Sequence, residues 1–431
     1  MNTTGDCMWM RLMGSMLALA CCCAVAARAE APANARTEAR AILERIVAIP
    51  SAAGLGKVPA VAQYLADRFR AAGFPEDDIH VLHSGDTASL VVRYRGSGKG
   101  GRPILLIAHM DVVTAKPEDW ERDPFKLVEE NGYFFGRGTM DVKGEIALIS
   151  ATFLRLKAEG FVPTRDLIIA FSGDEETQMD TARELATRYR ALTDAEFALN
   201  GDGGGGTLDD ETGKPQFYAL QGAEKSYASF ALTSHNPGGH SSQPRPDNAI
   251  YELADALKAV QGYAFPVMWN DWTLGSFKAT APVTPGELGQ AMAKFAANPG
   301  DAEAAAVLAK NPAMVGRTRT TCVATMLTGG HADNALPQSA TATVNCRIFP
   351  GTSVTEVRDS LQKVVGDKIE VKVIGEPHAS PPSPLRSDVL AAVTGRAILA
   401  CRSCRTWRPT PPTVPSSVVR AFQLTASAAS S

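Results

Sequence analysis

The sequence predicts an α/β protein with a mainly parallel sheet, helices on both faces of that sheet, and an inserted α+β unit. Two apolar runs, residues 103–108 and 166–171, have the composition of fully buried strands. Between them, residues 144–160 place apolar side chains at helical spacing. Strands that alternate with helices indicate a parallel sheet covered on both faces. Near Gly222 the pattern changes to alternating strands mixed with helices, which indicates a separate α+β unit.

The first unit is expected to occupy residues 30–222. Its predicted helices are 37–49, 58–72 and 144–160, and its predicted strands are 89–94, 103–108, 166–171 and 197–199. The third helix should bury an apolar side made of Ile146, Leu148, Ile149, Phe153 and Leu156.

The insert is expected to occupy residues 223–380. Its predicted strands are 227–233, 318–327, 340–349 and 369–374, and its predicted helices are 249–260 and 354–365. An Ala-rich, mostly helical stretch at 269–312 should elaborate the insert. The chain then returns to the first unit at 381–431. From about residue 396, arginines are scattered among Pro, Ser and Thr without a helical or strand period, which predicts a disordered tail.

Composition and charge limit the kinds of partner. The 431 residues are 45% hydrophobic and 21% charged, as in an ordinary globular protein large enough for two domains. The formal net charge of −3, without long Lys/Arg runs, provides no electrostatic basis for binding nucleic acid or an anionic membrane surface. We therefore expect a small molecule or a peptide as the partner.

Residues 1–29 are expected to be an export signal. Arg11 precedes an apolar stretch, 12–27, that is short for a membrane span, and Ala27-Arg28-Ala29 fits a small-x-small cleavage site. Cleavage after Ala29 predicts a periplasmic protein with no stable membrane span. The three consecutive cysteines at 21–23 leave a lipoprotein as the alternative, although the residues before them match an acylation site poorly.

Two of the remaining cysteines lie in neighbouring predicted strands of the insert. A hairpin centred near Asn334 would place Cys322 opposite Cys346, and an exported protein permits a disulfide bond. Two buried free thiols are the alternative.

Candidate ligands follow the predicted strands where each strand ends. His109 ends the first apolar run, and Asp111 could hold its second ring nitrogen if the turn bends the carboxylate back. Asp141 lies where a glycine-containing turn meets the third helix, and a carboxylate there can bridge two cations about 3.5–4 Å apart. Taken singly, a His-x-Asp pair is a weak signal, and an N-cap is the ordinary role of such an aspartate.

Three further carboxylates follow the next two strands. Glu175 and Glu176 come after the strand 166–171, and Asp202 comes after 197–199. One glutamate can ligate a metal while the other takes a proton from metal-bound water, although adjacent glutamates are ordinarily solvated charge. The glycines beside Asp202 do not predict a phosphate loop, because no Gly-Lys-Ser/Thr follows. Histidine and carboxylates at successive strand ends together predict a two-metal hydrolase.

The motifs AHMDVV, GRGTMDVKG, GDEET, NGDGG and GGHSSQP resemble those of the co-catalytic dizinc metallopeptidase and aminoacylase family. That family includes bacterial glutamate carboxypeptidase, carboxypeptidase S, carnosinases and succinyl-diaminopimelate desuccinylase. The resemblance runs from residue 103 to about 350. It implies a zinc-peptidase catalytic domain with an inserted lid and dimerisation domain, and two Zn²⁺ per chain, with Co²⁺ or Mn²⁺ as substitutes.

The resemblance implies a role for each candidate ligand. His109 and Asp202 would bind one zinc, Glu176 would bind the other, and Asp141 would bridge both. The peptide bond after Asp141 would be cis.

The resemblance also implies catalytic and substrate-binding roles. Asp111 would orient the zinc-binding histidine, and Glu175 would be the general base. His240 would stabilise the oxyanion, and in relatives this histidine often reaches across a dimer interface. Arg347 would hold a substrate carboxylate, with Asn334 beside it in a lid segment; a turn-capping histidine and a buried structural arginine are the ordinary alternatives.

The sequence departs from the family near its carboxyl end. Relatives place one more zinc-binding histidine there, but no histidine follows His378. Reverse translation of the tail with GC-rich codons, read in a shifted frame, resembles the missing family segment. The hypothesis is therefore that the chain is out of frame from about residue 396 and that its activity is in doubt.

These observations predict an exported zinc exopeptidase of carboxypeptidase or dipeptidase type. The first alternative is an amidase that deacylates N-acyl amino acids with the same metals and base. The second is an inactive or binding-only homologue, because the C-terminal zinc ligand is missing. The expected substrate is a peptide or an N-acyl amino acid, and a homodimer through the insert is consistent with the resemblance.

Overall fold

A computed structural model of the chain describes residues 33–203, 205–208, 212, 215–377, 379, 381–389, 391–392 and 423–425. Its helices are α1 (Ala33–Val47), α2 (Val58–Ala71), α3 (Lys143–Ala158), α4 (Asp180–Ala186), α5 (Arg190–Thr193), α6 (Ala249–Gly262), α7 (Asp271–Thr280), α8 (Gly286–Ala297), α9 (Ala302–Lys310), α10 (Pro312–Val315) and α11 (Val354–Val365).

The strands divide between two larger sheets and three two-stranded sheets. They are β1 (Ile79–Ser84), β2 (Thr87–Tyr94), β3 (Ile104–His109), β4 (Val128–Glu130), β5 (Tyr133–Phe135), β6 (Leu167–Ser172), β7 (Phe197–Asn200), β8 (Gly205–Leu208), β9 (Pro215–Ala219), β10 (Ser226–His235), β11 (Gly239–His240), β12 (Thr321–Gly329), β13 (Ala335–Leu336), β14 (Ser339–Ile348), β15 (Ile369–Ile374) and β16 (Gln423–Thr425).

The first sheet has the strand order β1-β2-β6-β3-β7-β16. The neighbours β6, β3 and β7 are parallel, whereas β2 and β16 run against their partners. Four strands, β1, β3, β6 and β7, therefore point the same way. The mainly parallel α/β sheet that the sequence predicts is confirmed, with antiparallel strands added to it.

Helices cover both faces of this sheet. The large core packs α1, α2 and α3 on one face, with Phe69, Ile146 and Phe171 fully buried. On the other face, Leu185 of α4 and Leu192 of α5 pack near Ile168. One predicted core residue is wrong: Leu148 of α3 is 57% exposed. The buried stripe of that helix passes through residues 146, 149 and 153. Successive residues of an α-helix are rotated by about 100°, so the side chain of residue 148 points away from this stripe.

The insert forms an antiparallel sheet with the order β12-β14-β10-β15. Its core packs α6 and α11 against one face, where Phe230 and Val344 are fully buried. Residues of β10 alternate between buried and partly exposed, as expected of a sheet with one covered face. The predicted pair Cys322 and Cys346 lies directly across β12 and β14 and is disulfide-bonded.

The Ala-rich stretch predicted to be helical folds as α7 to α10, with its own small core around Phe277, Phe295 and Leu308. Trp272 of α7 reaches out of this cluster and donates a hydrogen bond from Nε1 to the Ser383 carbonyl, at 2.8 Å. The amide of Ser383 donates in turn to the Gly222 carbonyl, at 2.8 Å. The helical cluster therefore contacts both places where the chain passes between the two sheets.

The predicted leader and most of the predicted tail lie outside the described residues. The tail prediction is wrong at Gln423–Thr425, because these residues pair with β7 as an antiparallel edge strand. Along the part of the chain that the structure describes, no helix has both the length and the apolar character needed to cross a membrane.

Candidate metal centre

The predicted ligands lie at one edge of the first sheet. His109 is the last residue of β3, Glu175 and Glu176 follow β6, and Asp202 follows β7. Because β6, β3 and β7 are parallel neighbours, their carboxyl ends reach the same edge. Asp141 reaches it from the turn that leads into α3. The strand order therefore brings residues that are far apart in the chain into one cluster.

The cluster is built around the imidazole of His109, which is 2% exposed. Its Nε2 lies 3.1 Å from Asp141 Oδ1, 3.7 Å from Asp202 Oδ2 and 4.0 Å from Glu175 Oε2. Glu176 belongs to the same centre: atoms of His109, Asp141 and Glu176 lie within 4.8 Å of one another, as do atoms of His109, Glu175 and Asp202. The structure therefore brings together all four predicted metal ligands and the predicted base.

The electrostatics of the cluster favour a cation. Burial raises the pKa of Glu175 and of Glu176, and neighbouring carboxylates raise both further, because negative charges repel at short range. Burial would lower the pKa of His109, but Asp111 and Asp141 raise it to about 11. Imidazole and carboxylate groups are the donors that divalent metals use in hydrolases, so the residues present fit a metal centre.

Asp111 joins the loops that carry the cluster. It is 3% exposed, and its Oδ1 and Oδ2 accept hydrogen bonds from the backbone amides of Glu175, at 3.1 Å, and Glu176, at 3.0 Å. His109 Nδ1 lies 3.1 Å from the backbone oxygen of Asp111 and 3.4 Å from its Oδ1. The turn therefore bends Asp111 back towards the ring, as its predicted role requires.

The turn before α3 shapes the position of Asp141. The Asp141–Val142 peptide bond is cis, as the family resemblance implies. Gly138 has a φ of +86°, and a Cβ there would lie 2.8 Å from Val112 Cγ1. Glycine is therefore needed at 138 for both conformation and space.

Sequence reasoning missed Lys143, which is completely buried beside the cluster. Its Nζ donates hydrogen bonds of 2.8 Å to the carbonyls of Ile46, in the last turn of α1, and Ile49, just after that helix. Burial lowers the pKa of Lys143 to about 7, and the negative charge of Asp111 opposes that shift. The signal in the sequence is a lysine at the first position of a helix whose middle turns are apolar.

Glu145 is a second group that sequence reasoning missed. Burial raises the pKa of Glu145 to about 7. Its side chain packs so closely on Gly201, next to Asp202, that any Cβ at 201 would overlap it. Glu145 therefore supports the loop that carries one of the candidate ligands.

His240 and Asn334 lie together at the two-stranded β11–β13 sheet, where the Ser241 amide donates to the Asn334 carbonyl. His240 is exposed, and its Nδ1 accepts a hydrogen bond of 3.2 Å from the backbone amide of Ser242. A neutral imidazole that accepts at Nδ1 carries its proton on Nε2. His240 therefore presents a donor to solvent, and its contacts are with Ser242 and the β11–β13 sheet rather than with the metal ligands.

Arg347 lies on β14 and is exposed, with its guanidinium 4.9 Å from the ring centroid of Tyr227. It contacts neither the metal ligands nor Asn334 among the interactions of the described residues. The described histidines that match no ligand position are not part of the cluster: His83, His235 and His331 are exposed, and His80 is half-buried. His378 lies outside the described residues.

Comparison with known proteins agrees with this geometry. The sequence model of peptidase family M20/M25/M40 matches residues 105–423, which is most of the chain. The chain belongs to peptidase family M20/M25/M40. The family resemblance predicted from the motifs is therefore confirmed, and the fold and ligand cluster are those of an M20 metallo-hydrolase.

This M20 chain is 31% identical over 301 residues to N-fatty-acyl-amino acid synthase/hydrolase PM20D1 of Xenopus tropicalis, covering 69% of the chain and 58% of that protein. It is 30% identical over 314 residues to probable carboxypeptidase S-like 2 of Dictyostelium discoideum, again covering 69% and 58%. The chain thus spans about 58% of the length of the curated relatives it matches.

Solved structures share the fold of this M20 chain. The M20 family metallo-carboxypeptidase Sso-CP2 from Sulfolobus solfataricus aligns with a TM-score of 0.60 at 18% identity, covering 86% of this chain and 84% of that one. Human carnosine dipeptidase 1 aligns with a TM-score of 0.51 at 15% identity, covering 85% and 84%. At these identities the likeness establishes the fold, a catalytic domain with a separate antiparallel lid sheet.

Proposed function

We propose that the chain is a zinc-dependent exopeptidase of carboxypeptidase or dipeptidase type. One observation carries this proposal: the buried imidazole of His109 lies 3.1 Å from Asp141 and 3.7 Å from Asp202, with Glu175 and Glu176 in the same cluster. Two of the similar solved structures are named a metallo-carboxypeptidase and a dipeptidase, and a third is named a dinuclear metal binding peptidase. These names support a two-metal centre that cleaves peptides.

In this proposal the described residues divide into two ligand sets. His109 and Asp202 would hold one cation, Glu176 would hold the other, and Asp141 would be shared. When bound, a pair of divalent cations would polarise the scissile carbonyl and lower the pKa of water to about 7.

Glu175 is suited to proton transfer. Its carboxylate belongs to the cluster, the two ligand sets proposed above do not use it, and burial raises its pKa above the usual value for a glutamate. A higher pKa makes a carboxylate a stronger base for proton transfer. Glu175 would take the proton of the attacking water and deliver it to the leaving amine.

Asp111 and His240 would complete the machinery. Asp111 accepts a hydrogen bond from the backbone amide of Glu175 and lies against the ring of His109, so it would fix the position of the base relative to His109. His240 has Nε2–H free to donate when neutral, which is the group required to stabilise an oxyanion. Because the contacts of His240 lie within the β11–β13 sheet and its adjoining turn, that role requires the lid to approach the cluster.

The first alternative is deacylation of N-acyl amino acids, since the relatives include N-fatty-acyl-amino acid synthase/hydrolases. The purified protein should be tested for zinc content and for hydrolysis of a panel of dipeptides, N-acetyl amino acids and N-fatty-acyl amino acids. About two zincs per chain with dipeptide cleavage supports the exopeptidase, whereas cleavage of acyl substrates alone supports the alternative. A protein without metal or hydrolysis would be the binding-only homologue that the missing C-terminal histidine suggests.

We also propose that the protein is exported and that it dimerises through the insert. Among the described residues, the edge strand β12 has a strand partner on one side only, and it exposes Met326 and Leu327. An exposed apolar edge is a typical pairing surface. Light scattering should show a dimer that Leu327→Lys dissociates, with Ile374→Lys at the opposite edge as the matched control. Cell fractionation and N-terminal sequencing test export, which predicts a mature protein that begins at Glu30.

A further inference from the structure

One tryptophan contacts both segments that connect the lid to the catalytic domain. The chain enters the lid between β9 and β10, where Gly222 lies, and leaves it after β15, where Ser383 lies. The Ser383 amide donates a hydrogen bond of 2.8 Å to the Gly222 carbonyl, so the two segments are held side by side. We call Gly222 and Ser383 the crossing pair.

Trp272 contacts each member of the crossing pair in a different way. Its Nε1 donates a hydrogen bond of 2.8 Å to the Ser383 carbonyl. Its ring lies so close to Gly222 that a Cβ at 222 would overlap the indole. A single side chain therefore binds one connecting segment by a hydrogen bond and packs on the other.

The helices that carry Trp272 are attached to the lid. They follow α6 and precede β12 in the chain, and both of these elements belong to the lid. The Met268 amide, just before α7, donates a hydrogen bond of 2.7 Å to the carbonyl of Thr318, which is fully buried just before β12. A movement of the lid sheet should therefore carry Trp272 with it.

The segment that returns from the lid is attached to the catalytic domain. Three residues after Ser383, Arg386 donates a hydrogen bond of 2.9 Å to Glu196 Oε1. The guanidinium of Arg386 also lies 5.5 Å from the ring centroid of Phe197, the first residue of β7. Trp272 thus joins the lid to a segment that is anchored on the catalytic sheet.

We propose that Trp272 is a positioning residue that sets the orientation of the lid towards the metal centre. Hinge motions between rigid units are taken up by a few residues at their connections, and Trp272 contacts both connections here. This inference rests on the proposed function, in which the lid brings His240 to the oxyanion. Trp272 acts through His240 and does not touch the substrate.

A double-variant experiment tests whether Trp272 acts through His240. Trp272→Ala should lower kcat about tenfold, and Trp272→Phe, which keeps a ring but loses the N–H, about threefold. Zinc content should stay normal, because the ligands lie in the catalytic domain. In a His240→Ala background, Trp272→Ala should cause no further loss, since its effect is to place His240. Equal losses in both backgrounds, or wild-type kcat in Trp272→Ala, would overturn the proposal.

The packing of the indole on Gly222 provides a second test. The backbone at 222 lies outside the left-handed region, so alanine fits its conformation, but the added methyl group would displace the ring. Gly222→Ala should therefore lower kcat in the wild type and have no further effect in Trp272→Ala. Trp269→Phe is the matched control, because Trp269 packs on Phe295 within the same helical cluster, and it should keep the wild-type kcat. Additive losses from Gly222→Ala and Trp272→Ala would count against the proposal.

A third measurement needs no turnover. The Ser383 amide should exchange its hydrogen several-fold faster in Trp272→Ala than in the wild type or in Trp269→Phe, because the crossing pair is less firmly held. Unchanged exchange would show that Trp272 does not hold the pair, and the inference would fall while the hydrolase proposal stands. Failure of the hydrolase proposal is recognised separately, by absent zinc and absent cleavage of every substrate by the wild type.

Discussion

The backbone amide of Glu175 donates a hydrogen bond to Asp111 Oδ1 at 3.1 Å, and the neighbouring amide of Glu176 donates to Oδ2. A single buried carboxylate thus connects the end of β3, which carries His109, to the loop after β6. The candidate base and two candidate ligands therefore depend on one side chain for their relative positions.

Replacing Asp111 tests this connection. In Asp111→Asn an amide NH₂ group would face one of the two backbone amides, so one hydrogen bond is lost and the loop shifts. Groups of this kind typically change metal affinity by about 10–100-fold. We expect zinc affinity, measured by competition with a chelator, to fall in that range. The exposed Asp119→Asn variant should bind zinc like the wild type, and an unchanged affinity in Asp111→Asn would contradict the positioning role.

Glu175→Gln separates the base from the ligands. The amide cannot accept the proton of water, but the ligand sets remain complete, so we expect normal zinc content and a kcat reduced about 10²–10⁴-fold. Zinc analysis and steady-state kinetics on the same preparation make the measurement. Glu118→Gln, at an exposed site, is the matched control. Near-normal hydrolysis by Glu175→Gln would reject Glu175 as the base.

Lys143→Met should destabilise the catalytic domain. The substitution leaves the carbonyls of Ile46 and Ile49 buried without their donor, at a cost of about 1–3 kcal/mol for each unsatisfied group. We expect a lower free energy of unfolding in chemical denaturation. A variant as stable as the wild type would show that these two hydrogen bonds contribute nothing.

Lys143 should also produce a pH dependence of stability. Its pKa of about 7 in the folded protein lies below that of an unfolded lysine, about 10.4. Between these values the unfolded chain binds a proton that the folded chain does not, so the free energy of unfolding rises with pH. Denaturation at pH 7 and pH 9 should show this rise in the wild type and a smaller one in Lys143→Met.

The disulfide should stabilise the lid sheet. Cys322 and Cys346 close a loop with a sequence separation of 24 residues. By loop-closure entropy such a bond contributes about 3 kcal/mol. We expect the double variant Cys322→Ser/Cys346→Ser to unfold at lower denaturant concentration than the oxidised wild type, and reductant to shift the wild type towards the variant. A wild type insensitive to reductant would count against this contribution.

The sequence predicted most of the elements because their signals are local. Apolar runs identified β3 and β6, helical periodicity identified α3 and α11, and alternation identified β10 and β14. The short hairpins β4–β5 and β8–β9 went unpredicted, since segments of three to five residues carry little periodic signal. Leu148 was wrongly predicted to be buried. Periodicity shows on which side of a helix the apolar residues lie, but not how much of that side the neighbouring elements cover.

By itself, the sequence determined the α/β class, the kinds of ligand and the strand ends at which they lie, because these depend on residue type and on local patterns. Only the tertiary structure decided that β6, β3 and β7 are neighbours and that Asp111 holds the loop of Glu175. It alone also buried Lys143. Contacts between residues far apart in the chain arise from strand order and register, which no local pattern specifies.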